Sequence, residues 1–447
     1  MPLTALDIYK HLPKTNCKEC KFPTCLAFAM ALAQKKAGLS DCPYASEEAK
    51  AALEGASAPP IRLVTVGSGE RKLEIGSETV LFRHEQTFYH PTGLAIEVED
   101  SMNDSALAKV AQEIRGLSFE RVGMTIGVNL VAVRGDTGNP QRFAAAVKSL
   151  KDAVGLPFVL MSRAPEVLEP ALKLLAGEKP LIFAADKDTV EPLAALAKAY
   201  GAPLAVVGAN PEELAGLTPR IASQGVTDIV LGLESRDLAR NLQDLTIIRR
   251  ASLKKGFRAL GYPMLVVASD PDPYVEAAAA STYVAKYGGI VVVQGRNPAE
   301  ILSILTVRQN IFTDPQKPIQ VKPGVYAIGE TNEKSPVLVT TNFSLTYYNV
   351  AGDVEASRVP SFIVVVDTEG TSVLTSFASD KLNADKVTAM LKDGAGVQSK
   401  VAHRRVVIPG LVAAMAAKLK DASGWEVLVG PRESSGIPKY LKSLSTV

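Results

Sequence analysis

PFVLMSRAPEVLEPALKLLAGEKPLIFAADKDTVEPLAALAKAYGAPLAVVG, residues 157–208, carries three short apolar runs, PFVLM (157–161), PLIFAA (180–185) and PLAVVG (203–208). Helix-patterned sequence separates them, as in DTVEPLAALAKAYG (188–201). Continuous apolar strands alternating with helices predict a parallel sheet covered on both faces. The pattern extends both ways, through GLAIEV (93–98), GVNLVAV (127–133), DIVLG (228–232), MLVVA (264–268) and IVVVQ (290–294). Long helical stretches such as NPQRFAAAVKSLKDAVG (139–155) and ESRDLARNLQDLTIIRRASLKKG (234–256) lie between these runs. Eight such units over about 220 residues suit a TIM-type (β/α)8 barrel, with an open doubly wound sheet as the alternative.

A second alternation begins after KPGVYAIG, with PVLVTT (336–341), SFIVVVD (361–367), HRRVVIP (403–409) and WEVLVG (425–430). Helices are expected at LNADKVTAMLKDG (382–394) and LVAAMAAKLKDASG (411–424), which makes a compact open α/β, Rossmann-like sheet. Residues 1–57 form a small cysteine-bearing, helix-rich unit, and EGASAPP (54–60) looks like a linker to it. The working division is 1–57, a lead-in of short β-like runs at 58–92 (IRLVTVG, ETVLF), a barrel at 93–320 and an α/β domain at 321–447.

Composition excludes several function classes. The 49 basic and 47 acidic side chains leave a net charge of +2, so no electrostatic case exists for nucleic acid. No run reaches the length of a membrane span. The opening MPLTALDIYKHLPKTN has no apolar signal core, so a reducing cytoplasm is expected.

All four cysteines fall at 17, 20, 25 and 42, within KTNCKECKFPTCLAFAMALAQKKAGLSDCPY. A reducing compartment disfavours disulfides, and structural zinc usually shows two C-x2-C knuckles where this chain has one. An iron–sulfur cluster needs a loop of three thiolates and a distant fourth. Cys17, Cys20 and Cys25 supply the loop and Cys42, followed by Pro43, the fourth. A 4Fe–4S cluster is the reading preferred, with zinc or free thiols as alternatives.

Ligands of parallel α/β domains meet the loops at the carboxyl ends of strands. Three such loops stand out: TTNFSLTYYNVAGD (340–353), TEGTSVLTSF (368–377) and GPRESSGIPKY (430–440). Their glycines, hydroxyls and Arg432 look like a cradle for a large ligand carrying amides, phosphate or a nucleotide tail; ordinary surface turns are the plainer reading. The G-x-G-x-x-G and G-x-x-x-x-G-K-[ST] fingerprints are missing from them, which disfavours dinucleotides and P-loop nucleotides. In the barrel, Asn139, Asn210 and Asp272 stand where helix caps are expected, and no catalytic pair is assigned. His11, His84, His90 and His403 fit no metal-ligand spacing.

The cysteine unit, the barrel and the strings VTTNFSLTYYNVAGDVE and VVVDTEGTSVLTSF together resemble the large subunit of the corrinoid iron–sulfur protein family, whose archaeal counterpart is the gamma subunit of acetyl-CoA decarbonylase/synthase. The resemblance spans the chain. It implies a 4Fe–4S cluster on Cys17, Cys20, Cys25 and Cys42, and a corrinoid on the C-terminal domain against Thr340, Thr346, Gly370, Thr371, Ser372, Val373 and Gly436. It implies base-off binding without a protein histidine ligand. Asp-x-His-x-x-Gly does not occur in the chain, and His403 opens a strand. Removing the lower donor eases reduction to Co(I), the nucleophile.

The implied activity is that of a methyl carrier in the acetyl-CoA pathway of carbon fixation. Co(I) takes a methyl group from methyltetrahydrofolate on a separate methyltransferase, and methyl–Co(III) delivers it to acetyl-CoA synthase, while the cluster rescues Co(II). The implied partners are a smaller corrinoid-protein subunit forming a heterodimer, that methyltransferase, acetyl-CoA synthase, and a reductive activator or ferredoxin. The linker implies a mobile cluster domain. Two rivals remain: an iron–sulfur electron-transfer protein without corrinoid, and a pterin-dependent barrel methyltransferase.

Overall fold

A computed structural model describes residues 5–33, 37, 39–46, 59–82, 85, 88–313, 318–392 and 396–444. The expected linker at 54–60, and the mobility expected of it, lie outside them except for Pro59 and Pro60. The chain divides into two compact units, residues 1–118 with 127–312, and residues 119–126 with 313–447.

The first unit contains a closed barrel. A short antiparallel hairpin, β1 (Val64–Val66) and β2 (Leu73–Ile75), precedes its first strand, β3 (Gly93–Glu99). ETVLF, expected to be β-like, contributes only an isolated bridge from Glu78 to Ile61. A second hairpin, β4 (Ser118–Arg121) and β5 (Met124–Gly127), leads on to β6 (Leu130–Arg134). Then follow β7 (Phe158–Met161), β8 (Leu181–Ala185), β9 (Leu204–Gly208), β10 (Ile229–Leu233), β11 (Met264–Val267) and β12 (Gly288–Val293). Strands β3 and β6–β12 pair in chain order, and β12 closes on β3 with Ile290 opposite Gly93. All of these pairs are parallel, so the barrel reading holds and the open sheet does not.

Alternate residues of each strand point inward, and the interior is filled by Ala95, Leu130, Ala132, Val159, Leu181, Val230, Ile290 and their neighbours. Val64, Val66, Leu73 and Ile75 of the first hairpin join the same apolar cluster. Gly67 N–H donates to Lys179 O at 2.9 Å, just before β8, which fixes the hairpin at the amino end of the barrel. Gly93 lets it approach, since a Cβ there would lie 2.3 Å from Leu73 Cδ2. The hairpin thereby plugs the barrel interior at its amino end. The expected caps form: Asn139 accepts from Gln141 and Arg142 N–H, Asn210 from Glu213 N–H and Asp272 from Tyr274 N–H.

In the second unit, β13 (Gly324–Ile328), β14 (Val337–Thr341), β15 (Ser361–Val366), β16 (Arg405–Ile408) and β17 (Glu426–Val429) form one sheet in the order β13-β15-β14-β16-β17. Only β13, at the edge, runs antiparallel to its neighbour. The three segments taken as loops are partly helical: Ser344–Ser357, Val373–Ala378 and Ile437–Leu444. Tyr347, Val350, Ala351 and Val354 recur at helical spacing and pack against the sheet, a periodicity that outweighs the hydroxyl-rich composition. Among the described residues, no helix is long and apolar enough to cross a membrane.

Candidate functional site

The cysteine unit is built from the helices Ala5–His11 and Cys25–Ala33. The loop between them is tightly wound, with Lys14, Asn16, Lys18 and Lys21 at φ of +60°, +50°, +68° and +66°. Side chains other than glycine seldom occupy this region, and they hold it where the surroundings demand it, often at ligand clamps. Asn16 and Cys25 lock the loop to the helix. Cys25 N–H donates to Asn16 Oδ1 at 2.8 Å, and Asn16 N–H donates back to Cys25 Sγ at 3.4 Å.

Cys25 and Cys42 are buried in one apolar cluster with Ile8, Leu12, Phe28, Ala29 and Ala45; Cys20 packs on it half-buried, and Cys17 is exposed. The structure therefore brings three of the four cysteines to one small core and leaves the fourth at its surface. Among the described residues, no three Cys, His, Asp or Glu side chains form a ready metal group. The donor set fits an iron–sulfur cluster in chemistry: four thiols on one short stretch, with backbone N–H aimed at sulfur.

The second candidate lies at the carboxyl ends of β14, β16 and β17. A slot of about 240 Å³ opens there, lined by Leu338 and Thr340 of β14, Val407 and Ile408 of β16, and the segment Gly430–Arg432 after β17. Helical residues Thr346 and Val350, the Ser372–Leu374 turn, Pro409, Leu411, Ser434 and Ile437 complete it. Its lining is largely apolar, which makes one polar atom conspicuous. Thr340 is fully buried and its Oγ1 has no hydrogen-bond partner. A buried hydroxyl left unpaired is costly, and one in the lining of a slot is a candidate partner for a ligand atom.

Asn342 organises the rim. Its Oδ1 accepts from Thr368 N–H (3.0 Å), Thr368 Oγ1–H (2.9 Å) and Gly370 N–H (3.0 Å), while its Nδ2–H donates to Gln320 and Asp367. Gly370 sits at φ +71°, and a Cβ there would meet Gln320 Cγ at 2.8 Å. Thr371 spends its hydroxyl on Thr368 O at 2.7 Å, and Gly436 packs on Pro431. Of the residues singled out in the sequence, Thr340, Thr346, Ser372 and Val373 line the slot, while Gly370, Thr371 and Gly436 shape the turns around it. Pro409, Leu411 and Ser434 were not singled out, although the Pro-Gly after HRRVVI marked a turn at a strand's carboxyl end. His403 is committed elsewhere, with Nε2 against Ser335 O at 3.0 Å and Nδ1 accepting from Arg405 N–H.

Residues 63–441 match the family model of the CO dehydrogenase/acetyl-CoA synthase delta subunit, and residues 12–44 match a model of a putative Fe–S cluster. The corrinoid/iron–sulfur protein large subunit of Moorella thermoacetica is 46% identical over 443 residues, covering 99% of each chain. The chain belongs to the corrinoid/iron–sulfur protein large-subunit family. Within that family it is also similar to the acetyl-CoA decarbonylase/synthase complex subunit gamma of Methanothermobacter thermautotrophicus, at 38% identity over 459 residues and 100% of both chains. Among solved structures, a 7,8-dihydropteroate synthase from Vibrio fischeri ES114 aligns with 50% of this chain and 95% of its own, at 14% identity and a TM-score of 0.39.

Proposed function

We propose that this chain is the corrinoid-bearing subunit of a methyl carrier, with a 4Fe–4S cluster on Cys17, Cys20, Cys25 and Cys42 and a corrinoid on the C-terminal unit. When bound, the corrinoid supplies a cobalt that accepts a methyl group from methyltetrahydrofolate and gives it up to acetyl-CoA synthase, and the cluster supplies reducing electrons. The observation that carries this reading is Thr340, a fully buried hydroxyl without a partner in the lining of an apolar slot. It would donate to a polar atom of the corrinoid's tail. Thr346, Ser372 and Ser434 add hydroxyls around the slot, and Arg432 stands ready for an anionic group. Leu374 and Leu411, both exposed, extend the apolar lining outward toward the macrocycle. Asn342 and Gly370 hold the turn that presents Ser372 and Val373.

In the cysteine unit, the left-handed loop and the Asn16–Cys25 pair hold two of the thiol positions, and the surrounding apolar cluster limits water. The names of the relatives support a smaller corrinoid-protein subunit and acetyl-CoA synthase as partners; a methyltetrahydrofolate methyltransferase and a reductive activator or ferredoxin complete the set.

The test is anaerobic metal analysis, with visible and EPR spectra, of the chain produced with its small subunit. About one cobalt and about four irons per heterodimer, with a Co(II) signal lacking axial-nitrogen splitting, is the expected result. Iron without cobalt after corrinoid reconstitution would overturn the reading in favour of electron transfer alone.

A further inference from the structure

The barrel has an open carboxyl end that the methyl-carrier reading does not use. Its interior is apolar from the plugged end upward, yet the uppermost layer is charged. Glu97 on β3, only 5% exposed, accepts from Ser269 Oγ–H at 2.8 Å and lies 3.2 Å from Arg134 Nε on β6. Arg134 is also 2.6 Å from Glu99 through Nη2 and 3.0 Å from Asp136 through Nε. Its buried Nε–H is nonetheless aligned with no acceptor. Arg163, just past β7, spans Asp186 at 2.7 Å and Glu234 at 2.9 Å. Only Glu97 is buried in this layer; the side chains of Arg134 and Arg163 are 40% and 55% exposed at the mouth, and in barrels of this kind the carboxyl mouth is where ligands bind.

A cavity of about 230 Å³ sits over this layer. Met161, Phe183, Val207 and Val267 form its apolar floor, and Arg134, Arg163 and Arg236 all reach it. Of the carboxylates that hold Arg134 and Arg163, only Glu234 lines the cavity. Such pairing fixes a guanidinium's direction and leaves its remaining N–H groups for something else. Arg236, which is exposed, makes no hydrogen bond or ion pair among the described residues. Three guanidiniums above an apolar floor match one kind of ligand: a flat apolar body that ends in an oxyanion.

We propose that the carboxyl mouth of the barrel binds a small organic anion, a carboxylate or phosphate monoester on a single-ring apolar body, through Arg134, Arg163 and Arg236. The site is independent of the corrinoid cradle and stands or falls separately from it. The test is equilibrium dialysis of the holo heterodimer at low salt against phenyl phosphate and benzoate, with inorganic phosphate and benzyl alcohol as the half-ligands. One saturable site for at least one aromatic anion is expected, with both half-ligands about tenfold weaker. R236Q should weaken binding about fivefold or more, and R236K should recover part of it, because charge returns without the planar fork. Arg236 is exposed, so neither variant threatens the fold. No saturable binding of either aromatic anion, equal binding of a half-ligand, or unchanged binding by R236Q would each overturn the proposal. Unchanged cobalt and iron contents in R236Q keep the result separate from the methyl-carrier reading.

Discussion

Thr340→Val replaces a fully buried hydroxyl that has no partner with a methyl group of the same shape. An unsatisfied buried hydroxyl costs roughly 1–3 kcal/mol, so the corrinoid-free chain should become more stable by about 1–2 kcal/mol. For a unit of this size that corresponds to a rise of roughly 2–6 °C in the unfolding temperature. The loaded protein should behave in the opposite way. Losing one neutral hydrogen bond of about 1 kcal/mol weakens corrinoid binding about fivefold. Thr341 provides the internal control, because its Oγ1 is also buried and unpartnered. Thr341 does not line the slot. Thr341→Val should therefore raise the stability of the corrinoid-free chain and leave corrinoid retention unchanged. Thermal unfolding by circular dichroism, paired with cobalt analysis after exhaustive dialysis, reads both effects. A fall in corrinoid-free stability for Thr340→Val, or equal cobalt loss in both variants, would refute the reasoning.

Three further outcomes are expected. Thr346→Trp should fill the slot and lower cobalt content severalfold while iron stays constant, as measured by metal analysis of the heterodimer. Cys42→Ala should reduce bound iron and abolish the cluster's visible absorbance with cobalt retained; full iron occupancy would remove Cys42 from the ligand set. Glu300, packed against Glu276, is pushed up to about 8, first by burial and then by its neighbour's carboxylate. The folded chain thus holds a proton that the unfolded chain releases near the ordinary value of 4.5. Stability should fall as pH rises from about 4.5 to about 8 and level off above. Glu300→Gln should flatten that slope in denaturant titrations across pH, and an unchanged slope would reject the assignment.

Much of this architecture is legible because its signals are local. The run PLIFAA is apolar throughout, and β8 is buried on both faces, so its composition alone reports its place in a parallel sheet. Asn139 and Asn210 are read as caps because a cap bonds to amides two or three residues on. The four cysteines are equally plain, since thiolate chemistry is scarce and spacing constrains it. The helix Ser344–Ser357 was less legible: threonine, tyrosine and asparagine favour turns when counted, and only the burial of Tyr347 and Val354 against the sheet reveals the helical period.

Periodicity and spacing along the chain thus settle the classes of element, the alternation of parallel strands with helices and the cysteine unit, because each depends on residues within a few positions of one another, whereas closure of the barrel rests on β12 meeting β3. Other features arise only when distant segments meet. The antiparallel pairing of β13 beside β15 depends on which sheet edge is left free. Residues 119–126 group with the C-terminal unit, although they lie between two barrel strands in the chain. Thr340 and Gly370 look alike as candidate ligand contacts, yet one lines the slot and the other braces a turn through Asn342, 28 residues away. The arginines of the barrel mouth come from the ends of three different strands, and two of them, Arg134 and Arg163, are held by carboxylates of other strands, Glu97, Asp186 and Glu234. Hydrogen bonds and burial of this kind are properties of three-dimensional proximity, and no local pattern encodes them.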